Sequence, residues 1–253
     1  FLQKAGIHTV TGVSKRSLKN LRFLFRKRWY GASWKKWIWQ YNNRAERSTT
    51  RIRGEISPAV ENLIKRDFKS ERPNEKWLTD ITEFSLPDGK VYLSPVIDCF
   101  DGLPVTWTIG TSPNATLVNN MLDQAIATLK NGEKLIVHSN RGCHYRWPGW
   151  IDRMEYTGLI RSMSEKGCSP DNAACEGFFG RLKNEMFYKR SWQGVSTKQF
   201  IEILNDYLIW YREKRIKLSL GGLRPMEYRR SLGLIWRIPR PGFCPHPPLH
   251  KFE

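Results

Sequence analysis

The stretch from Leu135 to Glu185 constrains this chain most. Leu135, Ile136 and Val137 form a short apolar run that stops at the polar run His138-Ser139-Asn140-Arg141-Gly142. That is the pattern of a buried strand ending in a loop. Downstream, Ser169-Pro170-Asp171-Asn172 carries helix-starting chemistry, because side-chain oxygens of Ser, Asp and Asn accept the orphan N–H groups of a first turn. The helix is expected to run to about Tyr188, with Phe178, Phe179, Leu182 and Met186 packing one side at three- and four-residue steps. Glu176, Gly180 and Lys183 then share a stripe, so a carboxylate and a lysine two turns on face the same way.

Upstream, the pattern is that of strands. W-L-T-D-I-T-E-F from Trp77 alternates, Pro87-Asp88-Gly89 is a turn, V-Y-L-S-P-V-I-D-C-F follows, and Asp101-Gly102 is a second turn before L-P-V-T-W-T-I-G. Three strands joined by short turns read as an antiparallel meander. Asn114 through Lys130 reads as a helix, Trp150 to Tyr156 as another, and Leu159 to Met163 as a last short strand. The order β-β-β-α-β-α-β-α gives an α/β class with a mixed sheet flanked by helices. Phe200 to Arg212 has helical period again, and the proline-rich tail after Ile238 reads as extended. The expected division is a basic helical region over 1–54, a linker over 55–75, a core over 76–190 and a C-terminal helix with a basic tail over 191–253.

Charge divides the chain the same way. The net charge of +18 is carried by the flanks: residues 1–70 hold 17 Lys and Arg against 4 Asp and Glu, and residues 207–253 hold 10 against 3. The stretch between them is close to neutral. Two basic arms around a neutral core point to a polyanion partner. In the first arm, Leu18, Leu21, Phe25 and Trp29 fit one face of a helix whose other face carries Lys19, Arg22 and Arg26. Such a helix is either a DNA-binding arm or a small helical domain with a solvated basic face, and the sequence leaves both open. In the second arm, Arg212, Lys214, Arg215 and Lys217 suit phosphates better than bases.

Other features narrow the class. No apolar run approaches the ~18 residues of a membrane span and no signal peptide opens the chain, so a soluble, cytoplasmic protein is expected. The first residue is Phe1, from which the expectation is a fragment, a processed chain or half of a longer product. Five cysteines without C-x-x-C spacing fit a reducing compartment. Their spacing favours free thiols over a zinc site built from Cys168, Cys175, His138 and His144.

Three positions carry the candidate chemistry. Asp80 interrupts the apolar run from Trp77 to Phe84, and a carboxylate there costs free energy unless it opens on a cleft or binds something. Asn140 falls at the carboxyl end of a strand, the usual place for a functional group in an α/β sheet. Glu176 follows on the helix.

The blocks T-D-I-T, H-S-N-R-G-C-H-Y, S-P-D-N-A-A-C-E-G-F-F-G-R-L-K-N-E and W-Y-R-E-K-R-I-K-L-S-L-G-G-L-R-P-M-E-Y-R resemble bacterial insertion-sequence transposases. More narrowly, they resemble the second-reading-frame product of the IS-three-type elements, which shares the retroviral integrase core. The resemblance spans about Glu55 to Arg230. It implies a ribonuclease-H-like fold, with Asp80 and Glu176 at the first and third positions of an acidic triad that binds two Mg²⁺, Mn²⁺ being able to substitute. Asn140 stands at the second position, where the family has Asp. It implies DNA partners, namely the element's terminal inverted repeats and target DNA, an oligomer assembled on DNA, and a first-reading-frame helix-turn-helix product that supplies end recognition. The retroviral-type zinc module is absent, since His8 is the sole histidine before His138. The protein would then work at the nucleoid.

The chemistry needs carboxylates for a physical reason. Two divalent ions about 3.5–4 Å apart clamp the scissile phosphate, and hard Mg²⁺ wants oxygen ligands at about 2.0–2.1 Å. Asn140 offers one neutral oxygen and no charge, so the expectation is a protein that folds and binds DNA yet is nearly inactive. Either an engineered substitution or decay of an element copy accounts for it. Among neighbours, Lys183, Lys166 and Arg141 are expected to contact DNA and His138 to be a satisfied histidine. Asn172 is expected to cap its helix or reach the site, and Asp98 to support the site or form a turn.

Overall fold

The structure, a computed structural model, describes residues 59–130 and 132–234. The chain divides into two compact units at 55/56, and all described residues belong to the second. The basic arm with Lys19, Arg22 and Arg26 and the proline-rich tail lie outside the described residues.

The sheet is built from β1 (Lys76–Thr79), β2 (Thr82–Leu86), β3 (Gly89–Asp98), β4 (Pro104–Gly110), β5 (Ile136–Ser139) and β6 (Ile160–Met163). β1 and β2 both pair antiparallel with β3, β4 pairs antiparallel with the other edge of β3, and β1, β5 and β6 run parallel. Helices α1 (Ala115–Ile126), α2 (Pro148–Thr157), α3 (Ala173–Leu182), α4 (Thr197–Glu213) and α5 (Pro225–Ser231) complete the described fold. The expected mixed sheet with flanking helices is what forms, in the order read from the sequence.

One expectation changes. The first strand was read as continuous through Asp80, and it breaks there. The register runs straight across the gap, because Thr79 faces Val96 and Thr82 faces Leu93, so β1 and β2 are one strand with two residues unpaired. The cause lies opposite. Cys99 N–H reaches Lys76 O while Asp98 N–H reaches Leu103 O, so by alternation the odd positions of β3 turn their amides toward β1 and β2. The odd position facing Asp80 is Pro95, which has no N–H to give.

Alternation along the strands sends residues to two cores. Trp77 and Val96 face one side with Val118, Met121, Leu122, Trp150 and Met154 from α1 and α2. Leu78 and Ile97 face the other with Phe178, Phe179 and Leu182 from α3 and Phe200, Leu204, Leu208 and Tyr211 from α4. The segment after residue 190, set apart in the sequence reading, thus contributes to the same core as the strands. Farther on, Arg229 of α5 is fully buried and donates to Asp101 Oδ2 at 2.6 Å and Asp98 Oδ2 at 2.9 Å. Asp98 therefore holds the C-terminal segment to the end of β3.

α1 is capped by Asn114, whose Oδ1 accepts from Leu117 N at 3.0 Å. α3 is not. Ser169–Asn172 form a 3₁₀ turn with no side-chain cap bond at its start or at that of α3, and Asp171 and Asn172 are turned inward at 3% exposure each. Beyond Leu182 the helix loosens into a π turn over Lys183–Phe187, closed by Tyr188 N–H on Lys183 O at 2.8 Å.

Candidate active site and nucleic-acid surface

β1 and β5 are neighbours in parallel register, Thr79 against Ser139. One residue further along each strand come Asp80 and Asn140, so the sheet sets these side chains side by side where both strands end. Asn140 Nδ2 donates to Asp80 Oδ1 at 2.5 Å, while Asn140 Oδ1 accepts Gly142 N–H at 2.8 Å. A Cβ at Gly142 would lie 2.8 Å from Asn140 Oδ1, so a larger residue there would push that carboxamide aside. Asp80 Oδ1 also takes Ile81 N–H at 2.7 Å, and Asp80 Oδ2 takes Asn172 Nδ2 at 2.8 Å. The carboxylate is thus surrounded by neutral donors.

Glu176 sits on α3, which packs against β1. It is exposed, and its negative charge is felt at Asp80. Burial, and then the charge of Glu176, raise the Asp80 carboxyl to about 6, opposed by the Ile81 amide and the Asn172 carboxamide. Asp80, Glu83, Tyr92, Asn140, Gly142 and His144 line a cleft of about 220 Å³. Glu83 carries no spacing signal in the sequence, and His144 enters the sequence reading only within the disfavoured zinc set. Burial lowers the proton affinity of the His144 imidazole.

Among the described residues no group of three or more His, Cys, Asp or Glu is placed to hold a metal ion, and Cys175 packs in the apolar core. Hard oxygen gathers around Asp80, which lines the cleft. Asp80 and Glu176 bring two carboxylates within electrostatic reach of each other, and Asn172 Oδ1 is buried with no hydrogen-bond partner. An all-oxygen donor set with an orphaned acceptor suits Mg²⁺ or Mn²⁺, but position 140 gives that set no third charge.

Around the cleft, His138 is fully buried. Its Nε2 lies 3.0 Å from the Asp171 carbonyl and its Nδ1 2.8 Å from Ser162 Oγ. A carbonyl only accepts, so Nε2 carries the proton and Nδ1 takes the Ser162 hydroxyl. Burial lowers the proton affinity of the ring, which marks a neutral, satisfied histidine. Asp171, bound by Arg66 Nε at 2.8 Å and Glu165 N–H at 2.9 Å, is held down to about 2, first by the Arg66 bond.

The expected DNA contacts separate into exposed and inward groups. Arg141 and Lys166 are exposed, and Arg141 Nε also donates to Ser164 O at 2.7 Å. Lys183 is half-buried, with its ammonium 5.3 Å from the Phe84 ring centre. Lys214 is exposed on the rim of a groove of about 910 Å³ that also carries Lys189, Arg190 and Trp210. The other three basic residues point into the protein. Arg212 is 3% exposed and stacks on Trp107 at 5.1 Å. Arg215 is bound by Glu185, its NH2 at 2.6 Å from Oε1. Lys217 Nζ donates to Asp101 O. A phosphate would have to displace each of those partners.

Sequence comparison agrees with this architecture. Two family models, both described as an integrase core domain, match residues 70–169 and 176–232. Over 182 residues the chain is 60% identical to a transposase for insertion sequence element IS1353 of Shigella flexneri, covering 72% of this chain and 35% of that one. It is 40% identical to a transposase-like protein of Haemophilus influenzae, covering 70% of this chain and 80% of that one. With transposase InsF for insertion sequence IS3A of Escherichia coli the identity is 34%, covering 69% and 60%. The match thus spans about a third of the Shigella protein. Among solved structures, the HTLV-2 integrase catalytic core in complex with magnesium aligns at a TM-score of 0.46 and 15% identity, over 63% of this chain and 97% of that one. On the sequence matches, this chain belongs to the bacterial insertion-sequence transposases of the integrase-core (DDE) superfamily.

Proposed function

We propose that this chain carries the DNA-cleaving and strand-transfer centre of an insertion-sequence transposase, and that Asn140 leaves it nearly inactive. The observation behind this reading is the pairing of Asp80 with position 140 at the ends of parallel neighbours, with the charge of Glu176 reaching Asp80. Asp80 and Glu176 would hold Mg²⁺, or Mn²⁺ in its place. The ions supply Lewis-acid activation of a water or DNA 3′-OH and stabilise the leaving oxygen.

The chain's own residues do the rest. Asp80 presents an anionic oxygen to the cleft, and the exposed Glu176 adds a second carboxylate whose charge reaches it. Asn140 presents an amide hydrogen to Asp80 where the family has a third anion, so one carboxylate oxygen is already engaged by a donor and the local charge falls by one. Arg141, beside Asn140 in the chain, and the exposed Lys166 and half-buried Lys183 would serve as phosphate contacts. Lys214, with Lys189 and Arg190, offers a second basic surface for duplex beyond the reacting bond.

The partners in this reading are element ends and target DNA in the bacterial cytoplasm, a second copy of the chain on DNA, and the first-reading-frame product. A second reading, a repressor that binds element ends without chemistry, is favoured by the same Asn140 amide, which satisfies Asp80 without a cation.

Restoring the carboxylate separates the two. Asn140→Asp is expected to raise Mg²⁺-dependent cleavage and joining of DNA carrying the element's ends by on the order of 10²–10³, measured by gel assay of labelled ends. No gain would count against the triad assignment and leave the binding-only reading.

A further inference from the structure

We propose that Asn172 is a positioning residue for Asp80, setting which carboxylate oxygen faces a divalent cation and how far Glu176 stands from it. The inference rests on the metal-site reading above. Asn172 immediately precedes α3, a place where asparagine ordinarily caps the helix with its side-chain oxygen. It makes no cap bond. Instead the side chain is 3% exposed and Nδ2 donates to Asp80 Oδ2 at 2.8 Å, across 92 residues of sequence.

The orientation of the amide is not arbitrary. Turned over, Asn172 would set its carbonyl oxygen against a carboxylate oxygen, so the network fixes the assignment. Two consequences follow from the connectivity. Asp80 Oδ2 is engaged by Asn172, whereas Oδ1 is the oxygen turned toward position 140. With a carboxylate at 140, Oδ1 loses the Asn140 donor and keeps the Ile81 amide, which leaves a lone pair for a cation. Asn172 and Glu176 also stand four residues apart at the start of one helix, so the bond that orients Asp80 also anchors the helix end that carries Glu176.

The unpartnered atom fits the same role. Asn172 Oδ1 is buried and accepts nothing, an arrangement that native structures retain where an absent group completes it. Partners that orient metal ligands in this way typically change metal affinity by 10–100-fold when removed.

The test uses the full chain carrying Asn140→Asp, with Mn²⁺ as the probe and free Mn²⁺ read by electron paramagnetic resonance. Adding Asn172→Leu, or Asn172→Ala should the leucine variant fail to fold, is expected to weaken Mn²⁺ binding by 10–100-fold, with the metal-free unfolding midpoint held. Excess Mn²⁺ should restore strand transfer in that variant, which it would not do for a merely misfolded one. Unchanged Mn²⁺ affinity in both variants, with binding abolished by Asp80→Ala, overturns the role of Asn172 and leaves the metal site standing. Absence of Mn²⁺ binding in the Asn140→Asp parent overturns both.

Discussion

Two pairs of acids, Asp98 with Asp101 and Asp80 with Glu176, lie in opposite surroundings. Asp98 and Asp101 follow the end of β3, with Asp98 fully buried and Asp101 4% exposed, and the guanidinium of the fully buried Arg229 lies between them. The Phe100 amide donates to the one oxygen Arg229 leaves, Asp98 Oδ1, while the Asn74 and Leu103 amides add second bonds at Asp98 Oδ2 and Asp101 Oδ1. Burial pushes the proton affinity of Asp98 up, and the charge of Arg229 opposes it. At the other pair, Asp80 bonds to a backbone amide and two carboxamides, and Glu176 is exposed. Acids closed by a cation from within the chain serve the fold. Acids left without one, beside a cleft, are what a bound cation would complete.

The largest effect should come from opening the closed pair. Arg229→Ala leaves two buried carboxylates uncompensated and is expected to cost about 3–5 kcal/mol, measured by urea unfolding at neutral pH. The loss should shrink as the pH falls and the carboxylates protonate. A cost well below 1 kcal/mol would mean that the pair behaves as a surface contact and that the contrast with Asp80 is not one of burial.

At the open pair a substitution is expected to stabilise. The Asp80 carboxyl is raised from 3.8 to about 6, so the folded protein holds that proton more tightly than the unfolded chain does. Stability from this group is therefore present at low pH and is lost as the pH climbs through about 4 to 6, leaving a penalty at neutral pH. Asp80→Asn should remove that slope and stabilise the metal-free protein by on the order of 1–2 kcal/mol at pH 7, allowing for the partial exposure of the site. Destabilisation by Asp80→Asn, read from unfolding curves between pH 4 and 8, would erase the difference between the two pairs.

Sequence reading reached the sheet and the helices because alternation, turn chemistry and three- and four-residue periods are local. It singled out Asp80, Asn140 and Glu176 as candidates through motif blocks, and the sheet register sets the first two side by side. It missed what depends on partners far along the chain. The break at Asp80 follows from Pro95, which becomes its neighbour only once β1 and β3 are in register. Asp171 and Asn172 look like helix caps, and tertiary partners at Arg66 and Asp80 draw them inward. Arg212, Lys214, Arg215 and Lys217 look like one basic stripe, yet a sequence does not say which cation meets a glutamate 30 residues away or a carbonyl 116 residues away. Arg229 carried no signal, although two acids near one buried turn implied that some cation had to reach them.

Lys217 provides the smallest and finest test, because it borders the closed pair without joining it. Its ammonium donates to the Asp101 carbonyl oxygen, beside Gly102, whose φ of +66° makes the turn that a side chain would strain. Burial first of all lowers Lys217 to about 8, so the fold holds this proton less tightly than the unfolded chain does. Stability should then rise as the pH climbs from about 8 to about 10.5, the reverse of the Asp80 slope. Lys217→Met should abolish that rise. At pH 7 it should change stability by no more than about 1 kcal/mol, since relief of a partly buried charge offsets the lost hydrogen bond. If unfolding curves at pH 7 instead showed a loss approaching that of Arg229→Ala, Lys217 would be a full member of the cluster, and neutralisation of Asp98 and Asp101 would be shared between two cations.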